Sequence, residues 1–212
     1  MKRKLYYPIV IALAAILTAT GCVSVKQDYP EKRYFALSAA RSSSPTVPTS
    51  VLNKPILRIR PFRVSPAYEG RGLVYRIGDL EFTSDFYNEF LVSPGLMFTN
   101  TFREWLSDAG IFQAVIDSPS QVLPDYVLEG AVNSMYGDYR DENAPKAVIE
   151  VQLFLINASK SKSAIELQKT YKQETPIAEN SPSALVGGWN RGLEIILNDF
   201  EVSLIKRLAT TP

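Results

Sequence analysis

The sequence predicts an α+β protein in which a mainly antiparallel, mixed sheet carries two amphipathic helices packed on one face. Short segments that alternate apolar and polar residues, typical of half-buried strands, occur on both sides of an apolar stripe with helical spacing. The order is strands, helix, strands, helix, with hairpins instead of regular strand–helix–strand units. Each half therefore has the form hairpin, Ser-Pro pair and apolar helix, which suggests a loose internal duplication.

The strands are predicted from apolar periodicity and from turn residues. At Pro61 the apolar parity flips from Leu57 and Ile59 to Phe62 and Val64, which indicates a bulge or a bend at a sheet edge. In chain order, the predicted strands cover 34–37, 56–64, 73–77, 80–86, 111–116, 126–139 (broken at its two glycines), 149–155 and 165–167.

The third and fourth strands are predicted to form a β-hairpin with one buried face. Gly78-Asp79 supplies the tight turn, and Leu80, Phe82 and Phe86 then alternate with polar residues. This alternation places the three apolar side chains on the face that is expected to meet the core.

Both helices carry the same start signal, a serine followed by proline at the first helical position, at Ser93-Pro94 and at Ser181-Pro182. The first apolar stripe ends before Gly110. The second ends at Lys206-Arg207, whose positive charges suit a helix C-terminus. Three glycines in the second helix are expected to allow close packing on the sheet or to mark an irregular first turn.

Composition excludes several functional classes. The 212 residues include no histidine and one cysteine, so Ser-His-Asp and Cys-His catalysis and imidazole metal ligation are absent. A formal charge of +1 gives no general attraction to nucleic acid. No glycine-rich phosphate loop and no C-x-x-C motif occurs, so the sequence predicts no cofactor and no catalytic residue.

Two acidic groupings are interpreted as solvated surface rather than as chemistry. Asp79, Glu81 and Asp85 share odd positions of one strand, but without a second carboxylate cluster they suit its solvent side. The acidic turn 138–143 does not match the spacing of a calcium loop. We therefore predict no metal site.

The first 22 residues have the form of a lipoprotein leader. Lys2-Arg3-Lys4 precedes an apolar run over 9–17, which is far shorter than the ~20 residues that span a bilayer. Ala19-Thr20-Gly21-Cys22 resembles the bacterial lipobox, so Cys22 is expected to be acylated with palmitate-type chains. The predicted organisation is a signal peptide over 1–21, a lipidated tether over 22–33 and one periplasmic α+β domain over 34–212.

The residue after the predicted acylation site indicates the membrane. Val23 stands where, in similar sorting signals, aspartate favours retention in the inner membrane. We therefore expect a protein anchored in the outer membrane and facing the periplasm. Two or three acyl chains hold a protein durably without a spanning helix.

A loop before the first hairpin holds the candidate partner-binding residues. Tyr68 and Arg71 lie in the segment that ends at Gly72, close to Tyr75 and Arg76. Tyrosine and arginine are enriched at protein interfaces, and loops often carry function. The alternative is a solvated approach to the hairpin.

An ordered set of segments resembles the PqiC-like, ABC-type transport auxiliary lipoprotein family. The similarity is clear from about residue 34 to 116, and the C-terminal half agrees in pattern only. The segments are Cys22, Tyr34-Phe-Ala-Leu37, Leu57-Arg-Ile-Arg-Pro-Phe62, Tyr68-Glu-Gly-Arg71, Leu73-Val-Tyr-Arg-Ile77, Phe86 to Phe90 and Trp105-Leu-Ser-Asp-Ala-Gly-Ile-Phe112.

The resemblance implies a non-enzymatic auxiliary lipoprotein of the outer membrane. Such proteins work with an MCE-domain protein and an inner-membrane ABC transporter, or a related multispan protein, that moves lipids across the periplasm. They are thought to form rings that receive the tip of the MCE assembly, so the resemblance also implies a homo-oligomer. The residues leave three alternatives open: an assembly lipoprotein of an outer-membrane barrel, a periplasmic lipid carrier and a carboxylate or serine hydrolase.

Overall fold

The computed structural model of the chain describes residues 30–41, 54–159 and 164–209. The predicted signal peptide, Cys22 and the tether up to residue 29 lie outside these residues. Within the described residues the elements are β1 (Arg33–Phe35), β2 (Ile56–Ile59), β3 (Arg63–Val64), β4 (Gly72–Arg76), β5 (Phe82–Phe90), α1 (Pro94–Asp108), β6 (Ala114–Asp117), β7 (Tyr126–Asp138), β8 (Lys146–Asn157), β9 (Ala164–Pro176) and α2 (Pro182–Ala209).

Strand β7 is the centre of a mixed sheet. β2, β3 and β4 pair in parallel with successive stretches of β7, and β8 pairs with it in the antiparallel direction. β5 and then β1 extend the sheet beyond β4, β6 extends it beyond β2, and β9 extends it beyond β8. The longest pairings, β7 with β8 and β8 with β9, are antiparallel. The prediction of an α+β fold with a mainly antiparallel, mixed sheet is confirmed.

Two predicted irregularities have different outcomes. The parity flip at Pro61 is a real interruption, because β2 ends at Ile59 and β3 begins at Arg63. The predicted breaks at the glycines of strand 126–139 are wrong, because β7 continues through both of them. Its irregularity is instead a register shift between Val132 and Ser134.

Both helices begin at the predicted proline. The Ser181 hydroxyl accepts a hydrogen bond of 3.1 Å from the Ala184 amide, as an N-cap serine does. Ser93 occupies the N-cap position of α1 but makes no side-chain capping bond. The Ser-Pro pair therefore predicts where both helices start, but the serine side chain caps only α2.

The two helices and one face of the sheet share a single apolar core. Phe102 of α1 and Phe200 of α2 lie 6.3 Å apart between ring centroids. A Cβ atom on Gly188 would lie 2.6 Å from the Ala147 Cβ of β8, so the expected close packing of α2 on the sheet is confirmed. The two helices cover this face of the sheet.

Candidate docking surface

The predicted partner-binding residues lie around the β4–β5 hairpin, but they divide between three local environments. Tyr68 and Arg76 lie on the outer face of the sheet. The Tyr68 ring stacks with Tyr136 at 6.1 Å, and Tyr136 meets Phe82 edge-on at 5.6 Å. The Arg76 guanidinium lies 5.6 Å from the centroid of Phe82. We call these four residues the tyrosine cluster.

Arg76 also fixes the tip of the hairpin. Its guanidinium donates hydrogen bonds to the carbonyls of Gly78, at 3.2 Å, and Asp79, at 2.7 Å. The turn lies where the sequence predicts it, with the Ile77 amide bonded to the Glu81 carbonyl at 3.0 Å. The two hydrogen bonds and the ring contact hold the Arg76 side chain in one orientation.

Arg71 lies at the β1 edge, away from the tyrosine cluster. Its Nε donates a 2.8 Å hydrogen bond to the Phe90 carbonyl, and its guanidinium lies 5.5 Å from the ring centroid of Tyr34. Its Nη2 is 3.7 Å from Glu89, whose carboxylate also receives Lys32 Nζ at 2.5 Å. Glu89 thus partly neutralises two cations.

Tyr75 belongs to the third environment, on the helix side of the hairpin. It stacks with Tyr139 at 5.2 Å, and its hydroxyl donates a 2.8 Å hydrogen bond to Asp85. Burial raises the pKa of the Tyr75 hydroxyl above its usual range, and the hydrogen bond to Asp85 adds to the rise. Tyr75 is half-buried and serves the architecture of the hairpin rather than an open surface.

Asp85 holds together a large bulge in β5. The register shifts from Gly72 opposite Glu89 to Val74 opposite Ser84, so the four residues from Asp85 to Asn88 face one residue of β4. Asp85 Oδ1 accepts from the amides of Tyr87 and Asn88 at 2.8 and 2.9 Å, and Oδ2 accepts from the Asn88 side chain at 2.8 Å. The carboxylate therefore replaces the missing strand partners.

The environment of Asp85 favours its ionised form. Burial raises the pKa of this carboxyl, but hydrogen bonds from Tyr75, Asn88 and Tyr87 lower it by more, and the net pKa lies below its ordinary value of 3.8. A carboxylate that accepts four bonds is held in one position. The bulge is thus built around a charge that persists at neutral pH.

The prediction that Leu80, Phe82 and Phe86 form the buried face of the hairpin is wrong. Leu80 is 97 % exposed and Phe86 is 67 % exposed, and Phe82 also lies at the surface. Strand alternation fails here because the extra residues of the bulge turn Phe86 and Tyr87 outward, in edge-to-face contact at 5.2 Å. The sequence signal for this bulge is the pair Phe86-Tyr87 between the turn-forming residues Asp85 and Asn88.

These exposed aromatic side chains continue along the β1–β5 edge. Tyr34 of β1 is 53 % exposed, and Leu91, directly after β5, is 57 % exposed. The Leu91 amide bonds to the Phe35 carbonyl at 2.7 Å, which ties this residue to β1. We call Tyr34, Phe86, Tyr87 and Leu91 the aromatic edge.

The acidic turn forms ion pairs instead of a cation site. Arg140 Nη2 lies 2.7 Å from Asp138, and Arg140 Nη1 lies 3.2 Å from Asp79. The hydrogen bonds from Arg140 hold the pKa of Asp138 below its usual value. No group of side chains suited to a metal ion occurs in the ranges that the structure describes.

A buried polar network that the sequence does not reveal joins the N-terminal segment to both helices. Glu201 of α2 receives the Trp105 indole N–H at 2.7 Å and pairs with Arg41 at 2.8 Å. Arg41 also donates to the Trp105 carbonyl at 2.8 Å and stacks over its ring at 4.4 Å. No periodic pattern marks Glu201, because it occupies a core-facing position in an apolar stripe.

The fold and these surfaces define a class of protein: an α+β domain with a helix-covered sheet and an exposed hairpin, and with no membrane-spanning helix among the residues described. The family model of the ABC-type transport auxiliary lipoprotein component matches residues 35–199. The chain therefore belongs to this family, a family of lipoproteins that act as auxiliary components of transport systems, as the resemblance implies. A search of curated proteins found no match.

Solved structures share the fold at low sequence identity. A Xanthomonas campestris protein of the DUF330 family is 15 % identical with a TM-score of 0.70, over 82 % of this chain and 96 % of that one. An uncharacterized protein is 16 % identical with a TM-score of 0.65, over 82 % and 99 %. The hypothetical protein CT253 of Chlamydia trachomatis is 8 % identical with a TM-score of 0.53, over 74 % and 99 %. At these identities the likeness concerns the fold alone.

Proposed function

We propose that the protein is a non-catalytic lipoprotein of the outer membrane that docks an ABC/MCE-type lipid transport system to that membrane. The observation that carries the proposal is the family match over residues 35–199, joined to the lipobox at Cys22. The acylated cysteine holds the domain at the membrane, and the exposed hairpin offers a contact surface to the periplasmic part of the transporter.

The tyrosine cluster is the surface that we assign to the MCE-domain partner. Tyr68 and Arg76 are amphipathic side chains held by neighbouring rings, and Phe82 is 45 % exposed beside them. Rigid aromatic and arginine side chains lose little conformational entropy on binding, so a small patch of them binds efficiently. Arg71 and Tyr75 support this hairpin from its two sides.

The packing of the core favours docking over internal lipid carriage. Large side chains fill the space between the helices and the sheet, and Phe98, Phe102, Trp189 and Phe200 are fully buried there. An acyl chain would have to displace them at a cost of several kcal/mol. The homo-oligomeric ring that the resemblance implies remains part of the proposal, because a ring would repeat the tyrosine cluster around its axis.

The test is crosslinking and affinity purification of the acylated protein from membranes, with identification of the partners. The Cys22→Ala chain is the comparison for the anchor. Tyr68→Ala and Arg76→Ala test the tyrosine cluster, and Arg63→Ala, an exposed arginine on β3, is the matched control. We expect an MCE-domain protein to be recovered with the wild type and with Arg63→Ala, and to be strongly reduced in the other three chains.

Recovery of an outer-membrane barrel without an MCE-domain protein would contradict docking and support the assembly alternative. Turnover of a hydrolase substrate that disappears when a single carboxylate is replaced would contradict the non-catalytic assignment. Sedimentation of the acylated protein in detergent as a monomer would remove the ring from the proposal.

A further inference from the structure

The four side chains of the aromatic edge are all exposed. Phe86 and Tyr87 project from a bulge that Asp85 holds, and Tyr34 and Leu91 extend the surface along β1 and the end of β5. Single exposed apolar residues are ordinary, but several exposed aromatic residues along one sheet edge indicate an interaction site.

Two basic side chains lie over rings of the aromatic edge. Lys32 Nζ lies 4.3 Å from the Phe86 centroid, and the Arg71 guanidinium lies 5.5 Å from the Tyr34 centroid. Glu89 contacts both cations, and the ionised Asp85 in the bulge is a second carboxylate, so these four groups carry no net charge. Aromatic rings beside long basic side chains match the boundary between lipid headgroups and acyl chains, where the rings sit and the cations meet phosphates.

The position of the edge in the chain identifies which lipid surface it meets. Ten positions separate Cys22 from Lys32. Ten residues reach at most ~35 Å when fully extended, and a flexible chain of this length spans roughly 17 Å on average. Tyr34 lies two residues after Lys32, so an acylated Cys22 keeps this end of the aromatic edge within about 42 Å of the bilayer even when the chain is fully extended.

We propose that the aromatic edge docks on the surface of the phospholipid bilayer that holds the acylated Cys22, with Phe86 and Tyr87 at the boundary between headgroups and acyl chains. The inference rests on the lipid anchor of the proposed function. Because the anchor supplies a high local concentration of the domain at the bilayer, a small patch is sufficient for docking.

Docking gives the domain a defined orientation. β5 pairs with β4, and β4 pairs with the C-terminal end of β7. β6 pairs with β2, and β2 pairs with the N-terminal end of β7. The connection between β6 and β7 therefore lies away from the bilayer when the aromatic edge meets it. Leu123, in this connection, is 86 % exposed and serves as the matched reference position.

The test places tryptophan at either position of the full acylated chain. Phe86→Trp and Leu123→Trp proteins are reconstituted in vesicles of phosphatidylethanolamine and phosphatidylglycerol, with and without a brominated phosphatidylcholine that quenches indole emission at the acyl chains. The native Trp105 and Trp189 are 4 % and 0 % exposed and form a constant background in both proteins. We expect the Phe86→Trp indole to lose about half of its emission in brominated vesicles and the Leu123→Trp indole to lose almost none.

Flotation of the same vesicles separates the anchor from the docking. Proteins that float with the vesicles but show no quenching at either position would overturn docking and leave the anchor intact. Equal quenching at both positions would overturn the defined orientation and with it the proposal. Shielding of the Phe86→Trp indole from acrylamide without bromine quenching would show that a second copy of the chain covers the edge, which also overturns docking. Failure to float would overturn the anchor and the docking together.

Discussion

At the scale of single residues, Asp85 is the side chain on which the β5 bulge depends. Its carboxylate accepts bonds from the Tyr75 hydroxyl, from the Asn88 side chain and from the amides of Tyr87 and Asn88. Hydrogen bonds to a charged group contribute more than neutral ones. In the sequence Asp85 is one of several predicted surface acids, but in the structure its carboxylate holds the bulge of the exposed hairpin together.

Asp85→Ala should lower the free energy of unfolding by about 1–2 kcal/mol at pH 7, because it removes four accepted hydrogen bonds at a half-buried position. Asp85→Asn should cost less, because its carbonyl oxygen still accepts from the two amides. Urea unfolding at pH 7 measures both. Equal stability of Asp85→Ala and the wild type would contradict the role of the carboxylate in the bulge.

The pH dependence of this effect has a defined sign. The folded-state pKa of Asp85 lies below its ordinary value of 3.8, so the ionised carboxylate stabilises the fold above that pH. This contribution is lost as the pH falls through the folded-state pKa. The stability difference between the wild type and Asp85→Asn should therefore be constant from pH 7 to about 5 and shrink below about 4. A stability difference between the two proteins that grows as the pH falls would contradict this sign.

Gly72 is required by the close approach of β5 opposite the bulge. A Cβ atom at this position would lie 2.4 Å from Ser84 Oγ and 2.6 Å from the Asp85 carbonyl oxygen. Gly72→Ala should lower the free energy of unfolding by about 1–3 kcal/mol, because the backbone of β5 must shift. Gly70→Ala is the matched control, since nothing lies within 4 Å of its added Cβ. Thermal unfolding of both variants measures the two changes in stability. Similar losses of stability in Gly72→Ala and Gly70→Ala would contradict the prediction.

At the scale of secondary-structure elements, the buried Glu201 network joins three segments that are distant in sequence. Arg41 follows β1, Trp105 lies in α1 and Glu201 in α2. The Arg41 and Glu201 side chains are 14 % and 7 % exposed. Removal of one partner from a buried ion pair leaves the other charge without compensation.

Glu201→Ala should therefore lower the free energy of unfolding by about 3 kcal/mol, and Glu201→Gln by less, because the amide can still accept the Trp105 N–H. Asp199→Ala, an exposed acid on the same helix, is the control and should change stability by less than about 0.5 kcal/mol. Urea unfolding followed by far-UV circular dichroism measures all three. A loss for Asp199→Ala as large as for Glu201→Ala would assign the effect to helix charge instead of the network.

The elements also show what a sequence can predict. The helix starts and the Pro61 interruption follow from local chemistry, namely proline at the first helical position and its missing amide in a strand, and both are found. The expected burial of Leu80, Phe82 and Phe86 is wrong for two reasons. Leu80 lies in the turn, and Phe82 lies directly opposite Arg76 on the outer face. Phe86 lies in the bulge that Asp85 holds through hydrogen bonds with Tyr75 and Asn88.

The sequence likewise predicts part of the candidate docking surface. Residue types located the hairpin and its loop, since tyrosine, arginine and glycine mark exposed contact segments. They could not show that Arg71 faces Tyr34 while Arg76 faces Phe82, because these contacts join β1 and the two strands of the hairpin. Side-chain neighbours across strands depend on register, and register in turn depends on the bulge.

At the scale of the whole molecule, the repeated pattern of hairpin and helix does not produce two separate cores. The antiparallel hairpin β4–β5 precedes α1, and the antiparallel hairpin β8–β9 precedes α2. Both halves meet on β7, and the rings of Phe102 and Phe200 join the two helices in one core. The described residues from Lys32 onward accordingly form one compact unit.

This shared core predicts a single cooperative unfolding transition. Trp105 reports on α1 and the Glu201 network, and Trp189 reports on α2, where its indole donates to the Val148 carbonyl at 3.0 Å. We expect the fluorescence of the remaining indole in Trp105→Phe, and likewise in Trp189→Phe, to change at the same urea concentration as the far-UV circular dichroism of that variant. Each variant serves as its own reference, so a loss of stability from the substitution itself does not affect the comparison. Two separated midpoints in either variant would show that the hairpin–helix halves unfold independently, and that the common strand β7 and the helix–helix contact do not couple them.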